Sequence, residues 1–265
     1  MYREIEEYVL IKDALTSISG LLLFEFAKEP TLSTVDTILR NALAKSIMSV
    51  KGVFSLWEIE NYHDCWVIYR AQMDRLFHLE HIAKYNEFQL FDDWSIYKQA
   101  QANNLAKSDK RFPIEQTSQV YYFDDSYAER VKKVLESKPK WYRPKAENVA
   151  KDMGLDFLYT FGFDLASMHV HPMSNDGQQD YYTVTGIASE FSFPTQIAVI
   201  HNSILIMTLI AQTVFNYSSF RWRSILWDFL DQIRSAIDTG SKEYMTTSLK
   251  IIEFRQNKQG LSEKV

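Results

Sequence analysis

Residues 147–172 of the chain combine the residue types that acid–base chemistry needs. If this stretch forms one α-helix, four polar side chains fall within an arc of about 60° at about 100° per residue. They are Thr160, Asp164, Ser167 and His171. Pro172 disfavours the α conformation in the residue before it, so we expect the helix to end at His171. Projection places His169 more than about 120° from this arc. The stripe indicates either a solvated face with a helix cap or a functional centre; its Thr, Asp, Ser and His favour the centre, because solvated faces more often hold Lys, Glu and Gln.

A second polar stripe lies on residues 55–85, for which we predict one long helix. Six side chains share about 80° of arc in this projection. They are Glu60, His63, Arg70, Asp74, His78 and His81. The opposite side is apolar and includes Cys65 and Trp66, so the thiol is predicted to be a small core residue rather than a nucleophile. Two interpretations remain open: the wet side of an amphipathic helix with an ordinary Arg70–Asp74 ion pair, or a site with clustered histidines.

The first stretch also resembles a known family. The matching residues are Gly154-Leu155, Tyr159, Phe163, Ser167, His171 and Pro172. This pattern is similar to the domain of unknown function 5677 family, whose members are mostly bacterial helical proteins, and the resemblance spans about residues 40–230. In that family an arginine often stands three residues before the serine, where this chain has Asp164. The resemblance also implies an arginine followed four residues later by an acid in the preceding long helix, here Arg70 and Asp74.

More loosely, the layout resembles helical effectors of the HEPN class (higher eukaryotes and prokaryotes nucleotide-binding). These use an arginine and a histidine at the end of one helix, usually paired across a dimer. The resemblance implies metal-independent RNA cleavage, in which an imidazole exchanges protons near neutral pH and a guanidinium stabilises phosphate charge. The usual arginine four to six residues before the histidine is absent, so Arg70 would supply the cation to His171. Such a protein would be a toxin-like effector of a bacterial stress or defence system.

Residue roles follow from this hypothesis. The predicted catalytic group consists of His171, Arg70, Ser167, Asp164 and Asp74. The predicted substrate-binding group consists of His63, His78, Tyr159, Lys140 and Arg143. We expect the helices at 55–85 and 147–171 to lie side by side. The expected partners are RNA, a partner protein, or a second copy of the chain in a homodimer.

Two other functions stay open. A non-catalytic helical adaptor or regulatory protein would use the polar stripes only to specify helix packing. A metal-binding bundle would use Glu60 and His63, whose i,i+3 spacing can direct a carboxylate and an imidazole to one ion. A second Glu-x-x-His is missing, so we expect no resident metal. The sequence also has no Gly-rich phosphate loop, CxxC, HExxH or GxSxG motif, so no cofactor is expected.

The connector SKPKWYRPK, residues 137–145, mixes four basic side chains with Trp141 and Tyr142. This composition is typical of segments that follow phosphates and stack bases. It is equally typical of a proline-stiffened loop packed by its own aromatic residues, and both interpretations stay open.

Composition favours an all-α fold. The 265 residues include only 8 Gly and 6 Pro, too few for the frequent turns of a β-sandwich, and 46% hydrophobic residues exclude disorder. We predict one bundle-like domain over 1–265 of about eight to ten helices. It comprises N-terminal helices at 2–51, a core at 55–235 resembling the family, and a C-terminal helix with a charged tail at 241–265. Predicted helix boundaries include an end near Gly52 and short pieces within 86–120.

Charge, cysteine content and hydropathy bound the environment. The net charge of −5 gives no global nucleic-acid signature, although a local basic site remains open. The single cysteine indicates a reducing compartment, and the charged N-terminus argues against secretion, so we predict a cytoplasmic protein. The apolar stretch 197–215 is long enough to cross a membrane, but its polar residues favour a buried central helix and no membrane contact.

Overall fold

The computed structural model describes residues 2–111, 127–171, 173–174, 177–187, 196–220 and 223–262. These residues form eleven helices and no strand, which confirms the predicted all-α class. The helices are α1 (Ile5–Ala27), α2 (Thr34–Glu58), α3 (Tyr62–Tyr85), α4 (Phe88–Ser108), α5 (Ala128–Ser137), α6 (Ala146–Asp152), α7 (residues 156–167), α8 (Gln178–Thr185), α9 (Gln196–Tyr217), α10 (Arg223–Thr239) and α11 (Glu243–Ser262).

Backbone contacts divide the chain into two compact units. The first unit consists of Met1–Glu80 and Lys145–Val265, and the second unit consists of His81–Pro144. Each unit is described by itself below. The single domain predicted over residues 1–265 stays a prediction.

The apolar helix α9 lies at the centre of the first unit, where it packs against α1, α2 and α10. In the described ranges it is the one helix that is long and apolar enough to cross a membrane. Of its most apolar 18-residue stretch, 67% is buried inside the protein. Its buried polar residues meet α3: Ser203 donates a hydrogen bond to Gln72 Oε1 at 2.7 Å, and Thr213 donates one to Glu80. Burial raises the pKa of Glu80, while the Thr213 hydroxyl opposes that rise. The helix is therefore buried and central, as predicted.

The predicted boundary between the second and third helices is wrong. Helix α2 continues through Gly52 to Glu58, and the break falls at residues 59–61, where Glu60 has a φ of 61°. Gly52 allows close packing instead of ending a helix, because a Cβ there would lie 3.3 Å from Ile68 Cδ1. The small residue thus lets α3 approach α2.

Helix α4 and the short helix α5 pack together in the second unit. The predicted pair of short pieces within 86–120 is wrong as far as residue 111, since α4 is one helix of 21 residues; residues 112–126 lie outside the described ranges. Arg130 of α5 donates to Asp92 at 2.6 Å and to Asp93 at 2.7 Å on α4. These charged contacts fix the register of the two helices.

The predicted single helix 147–171 is also wrong. Helix α6 ends at Asp152, and Gly154 has a φ of 68°, the left-handed conformation that commonly follows a helix. Helix α7 then consists of an α turn at Asp156–Leu158, a π-helical segment at Tyr159–Asp164 and an α turn at Leu165–Ser167. In a π segment the i→i+5 bonds widen the helix, so each residue advances by a smaller angle. The projection at about 100° per residue therefore fails here.

Gly162 in the π segment brings α7 close to α3. It is buried, and a Cβ at this position would lie 2.6 Å from the Tyr69 hydroxyl oxygen. Tyr69 itself is 1% exposed, and burial raises the pKa of its hydroxyl. The ring therefore has little room to move away.

We expect Gly162→Ala to lower the free energy of unfolding by about 1–3 kcal/mol, because overpacking against Tyr69 exceeds the gain in helix propensity. Tyr69→Phe removes the clashing oxygen and should restore most of the loss in the double variant. Chemical denaturation followed by circular dichroism measures both effects.

Gly20→Ala is the matched control, since Gly20 lies inside α1 and a Cβ there would have no neighbour within 4 Å. This change should raise stability by about 0.5–1 kcal/mol. Equal stability of wild type and Gly162→Ala would contradict the close approach of α7 to α3.

Candidate functional site

Helices α3 and α7 lie side by side in the first unit, which confirms their predicted adjacency, and Arg70 joins them. Its Nε donates a hydrogen bond to Ser167 Oγ at 2.8 Å. Its Nη1 lies 2.6 Å from Asp74 Oδ2, one turn further along α3. The Arg70 side chain is 17% exposed and that of Asp74 is 38% exposed. Half-buried charge requires such pairing, because an isolated charge loses its hydration on burial.

The Ser167 hydroxyl makes two hydrogen bonds. It accepts from Arg70 and donates to the Phe163 carbonyl oxygen at 2.7 Å, one turn earlier in α7. A hydroxyl whose lone pair faces a guanidinium and whose proton faces a carbonyl is a poor nucleophile. Ser167 is therefore a positioning residue in this arrangement.

Aromatic rings cover the other side of the Arg70 guanidinium. Its Cζ lies 3.1 Å from the centre of the Phe163 ring, a cation–π contact. Tyr159 stacks on Phe163 with ring centres 5.3 Å apart, and Phe77 of α3 lies 5.8 Å from the same ring. Partial burial and the nearby carboxylate of Asp164 raise the pKa of Tyr159.

His63, two helical turns before Arg70 on α3, pairs with a histidine from beyond the end of α7. His63 Nδ1 lies 3.4 Å from Nδ1 of His169, which follows the end of α7. His169 also stacks on Trp66, with ring centres 5.7 Å apart and an angle of 11° between the planes. His63 and Arg70 are seven residues apart, about 10 Å along the axis, and share one face of α3.

The structure places His171 differently from the prediction. Helix α7 ends at Ser167, residues 168–170 form a turn, and His171 is exposed in the bend that follows. Its backbone N–H donates to the Ser167 carbonyl oxygen at 3.2 Å. Ser167 thus binds the Arg70 guanidinium through its hydroxyl and the backbone of His171 through its carbonyl.

The remaining predicted site residues separate into two groups. In the first unit, Asp164 is exposed beside the half-buried Tyr159, and His78 is half-buried on α3, two turns beyond Arg70. Lys140 and Arg143 are both exposed and belong to the second unit. The structure therefore brings together Arg70, Asp74 and Ser167, with Tyr159 beside them, and His63 adjoins through His169.

The predicted Glu60–His63 spacing is not realised on a helix. Glu60 lies in the turn before α3 with a positive φ, so the pair lacks the i,i+3 geometry that a shared ion needs. Among the residues that the structure describes, no group of three or more His, Cys, Asp or Glu side chains is arranged to hold a metal ion. Cys65 is buried as predicted, and burial raises the pKa of its thiol to about 12.

Sequence reasoning missed His169 and the aromatic residues around Arg70. The projection assumed an unbroken α-helix and turned His169 away from α3, whereas the π segment and the following turn bring it onto His63. One signal was present in the sequence, because Gly162 lies within the aromatic run YTFGF. Glycine lowers helix stability, so its presence inside a predicted helix indicates close packing against a neighbour.

The Arg70–Ser167 hydrogen bond should be measurable as a coupling energy. In a double-mutant cycle of Arg70→Met and Ser167→Ala, we expect a coupling of about 1–3 kcal/mol, because the bond is charge-assisted and half-buried. The readout is urea denaturation of the four proteins.

Thr160→Ala supplies the control cycle with Arg70→Met. Thr160 is an exposed hydroxyl residue of the same helix, so its coupling to Arg70 should be close to zero. Equal coupling in both cycles would mean that the Ser167 contact contributes nothing specific.

Comparison with known proteins gives one family. A model described as a family of unknown function, DUF5677, matches residues 36–183, more than half of the chain, from the start of α2 into α8. No curated protein matches the chain, and no solved structure does. The matched stretch contains Arg70, Asp74, Ser167 and His171, and it is shorter than the span of about 40–230 inferred from motifs. The chain belongs to the DUF5677 family.

Proposed function

We propose that this protein is a metal-independent endoribonuclease of the HEPN type, acting as a toxin-like effector in a bacterial stress or defence system. The observation that supports the proposal is the double role of Ser167, which binds the Arg70 guanidinium and the backbone of His171. One residue thereby keeps a phosphate-binding cation and an exposed imidazole in the same region of the first unit. These are the two groups that RNA cleavage without a metal requires.

The reaction would use the RNA 2′-hydroxyl as nucleophile. A neutral imidazole removes its proton, O2′ attacks phosphorus, and the bond from phosphorus to the 5′-oxygen breaks. The leaving 5′-oxygen takes up a proton, and the products are a 2′,3′-cyclic phosphate and a 5′-hydroxyl end. His171 would exchange the proton, and the Arg70 guanidinium would stabilise the phosphate charge.

The neighbouring residues would hold the substrate. Asp74 orients the guanidinium, while Tyr159 and Asp164 line the exposed side of α7. The His63–His169 pair, fixed by stacking on Trp66, offers imidazole nitrogens to a second phosphate along the strand. His78 lies further along the same helix.

Cleavage of a labelled RNA in the presence of EDTA tests this proposal. We expect His171→Ala and Arg70→Lys each to lower the rate by about 10²–10⁴-fold, because the first removes the acid–base group and the second removes the planar guanidinium. Circular dichroism verifies that both variants fold.

His81→Asn is the matched histidine control, since His81 pairs with Glu87 in the second unit, at 3.4 Å. It should cut at the wild-type rate. Three outcomes would refute the proposal: no cleavage by the wild type, cleavage abolished by EDTA, or wild-type activity in His171→Ala.

A second function, a helical adaptor, is favoured by an exposed apolar stripe on α7 and the following turn. Phe157, Phe161, Leu165 and Met168 are 71%, 61%, 39% and 49% exposed at helical spacing. The ring centres of Phe157 and Phe161 lie 4.8 Å apart, and exposed apolar residues close together are typical of interaction sites. The natural occupant would be a partner protein or a second copy of the chain.

Light scattering at increasing concentration tests self-association through this stripe. We expect the wild type to dimerise and Phe161→Asp to remain monomeric, because a charge opposes burial of the stripe. Met48→Asp, at an exposed methionine of α2, should dimerise like the wild type. A dimer that leaves RNA intact would favour the adaptor, and a monomeric wild type would exclude the second copy as occupant.

A further inference from the structure

The second unit concentrates positive charge on residues 132–143, which we name the basic strip. This segment holds five basic residues and one acidic residue, in a chain whose net charge is −5. The basic residues are Lys132, Lys133, Lys138, Lys140 and Arg143. All five are exposed, and within the described ranges none forms an ion pair. Arg130 of the same unit is different, because Asp92 and Asp93 neutralise it. The strip therefore has no evident use of its charge inside the unit.

An exposed aromatic ring lies within the basic strip. Tyr142 is 80% exposed and stands between Lys140 and Arg143 in a segment without regular secondary structure. Its neighbour Trp141 is 5% exposed and donates from Nε1 to Glu87 Oε2 at 2.9 Å. A tyrosine ring with this exposure contributes little to core packing, and its exposed face is available to stack on a planar ligand.

The backbone that presents Tyr142 is fixed. The Trp141 ring packs on Phe91 and Trp94 of α4, with ring centres 4.9 and 5.1 Å away. Pro139 and Pro144 flank the segment and restrict its backbone angles. Trp141 therefore anchors the loop, as the packed-loop interpretation predicts, whereas Tyr142 faces solvent. A preorganised ligand site loses less entropy on binding.

We infer that the basic strip binds single-stranded nucleic acid, with phosphates on its lysines and arginine and one base stacked on Tyr142. Exposed cations attract phosphates of any strand, but the face of a base is available to an aromatic side chain only where the base is unstacked. An acidic protein would match the charge without using the ring. The strip also lacks the apolar cluster that inserts into a lipid surface.

The inference concerns the second unit alone and does not require cleavage. If the chain is an RNA-cleaving enzyme, the basic strip would select single-stranded RNA as its substrate. Binding is measured in the His171→Ala background, which keeps the RNA intact, and cleavage is measured only with the wild type. Failure of the binding inference and failure of the proposed nuclease function are therefore distinguishable.

Fluorescence anisotropy of a labelled oligouridylate of about 12 nucleotides tests the strip. We expect Tyr142→Ala to weaken binding by about tenfold or more, and Tyr142→Phe to bind like the parent, because the face of the ring is what stacks. Lys140→Ala/Arg143→Ala should weaken binding and reduce the slope of log K against log salt by about 1.4, the loss of two phosphate contacts.

Each variant of the strip has a control on the first unit that removes the same type of side chain. Tyr181→Ala removes a tyrosine that is 55% exposed, and Lys242→Ala/Lys250→Ala removes two exposed charges on or beside α11. Both should bind like the parent. Parent-like binding by Tyr142→Ala, equal affinity for an RNA duplex, or an effect of the control charges as large as that of Lys140 and Arg143 would overturn the inference. So would binding of phosphatidylserine vesicles in place of the oligonucleotide.

Discussion

The Arg70 guanidinium is the charge on which the packing of α3 against α7 depends. With 17% of its side chain exposed, it has exchanged most of its water for the Ser167 hydroxyl, the Asp74 carboxylate and the face of Phe163. Removing any of these partners leaves a half-buried cation less compensated, and that is costly. The same contacts hold the guanidinium plane still, which phosphate recognition also requires. Packing and the proposed chemistry therefore use the same residues.

A second constraint is the space between Gly162 and Tyr69. The π segment exposes the backbone of Gly162 to the Tyr69 hydroxyl, which leaves no room for a Cβ. Wide helical turns of this kind are uncommon and occur frequently at functional sites. Here the wide turn carries Phe163 onto Arg70, and the narrower turn that follows carries His169 onto His63. The irregular geometry of α7 thus positions the aromatic and imidazole rings of the site.

Composition and periodicity alone determined the fold class and the buried central helix. These features depend on local propensity and on the apolar–polar pattern, which a sequence displays directly. Arg70 and Asp74 could be paired because both lie on one regular helix, where four-residue spacing brings side chains together. Cys65 and Trp66 could be assigned to the core for the same reason, since they lie on the apolar side of that helix.

Only the tertiary structure decided the partners across helices. The contact of His169 with His63 depends on how α7 winds after Tyr159, where Gly162 lies against Tyr69, 93 residues earlier in the chain. Helix α2 likewise continues through Gly52, where a Cβ would lie 3.3 Å from Ile68 Cδ1 of α3. Local preference would end or straighten these helices. Close packing with residues distant in sequence outweighs that preference, because buried contacts contribute more free energy than the propensity of a single residue.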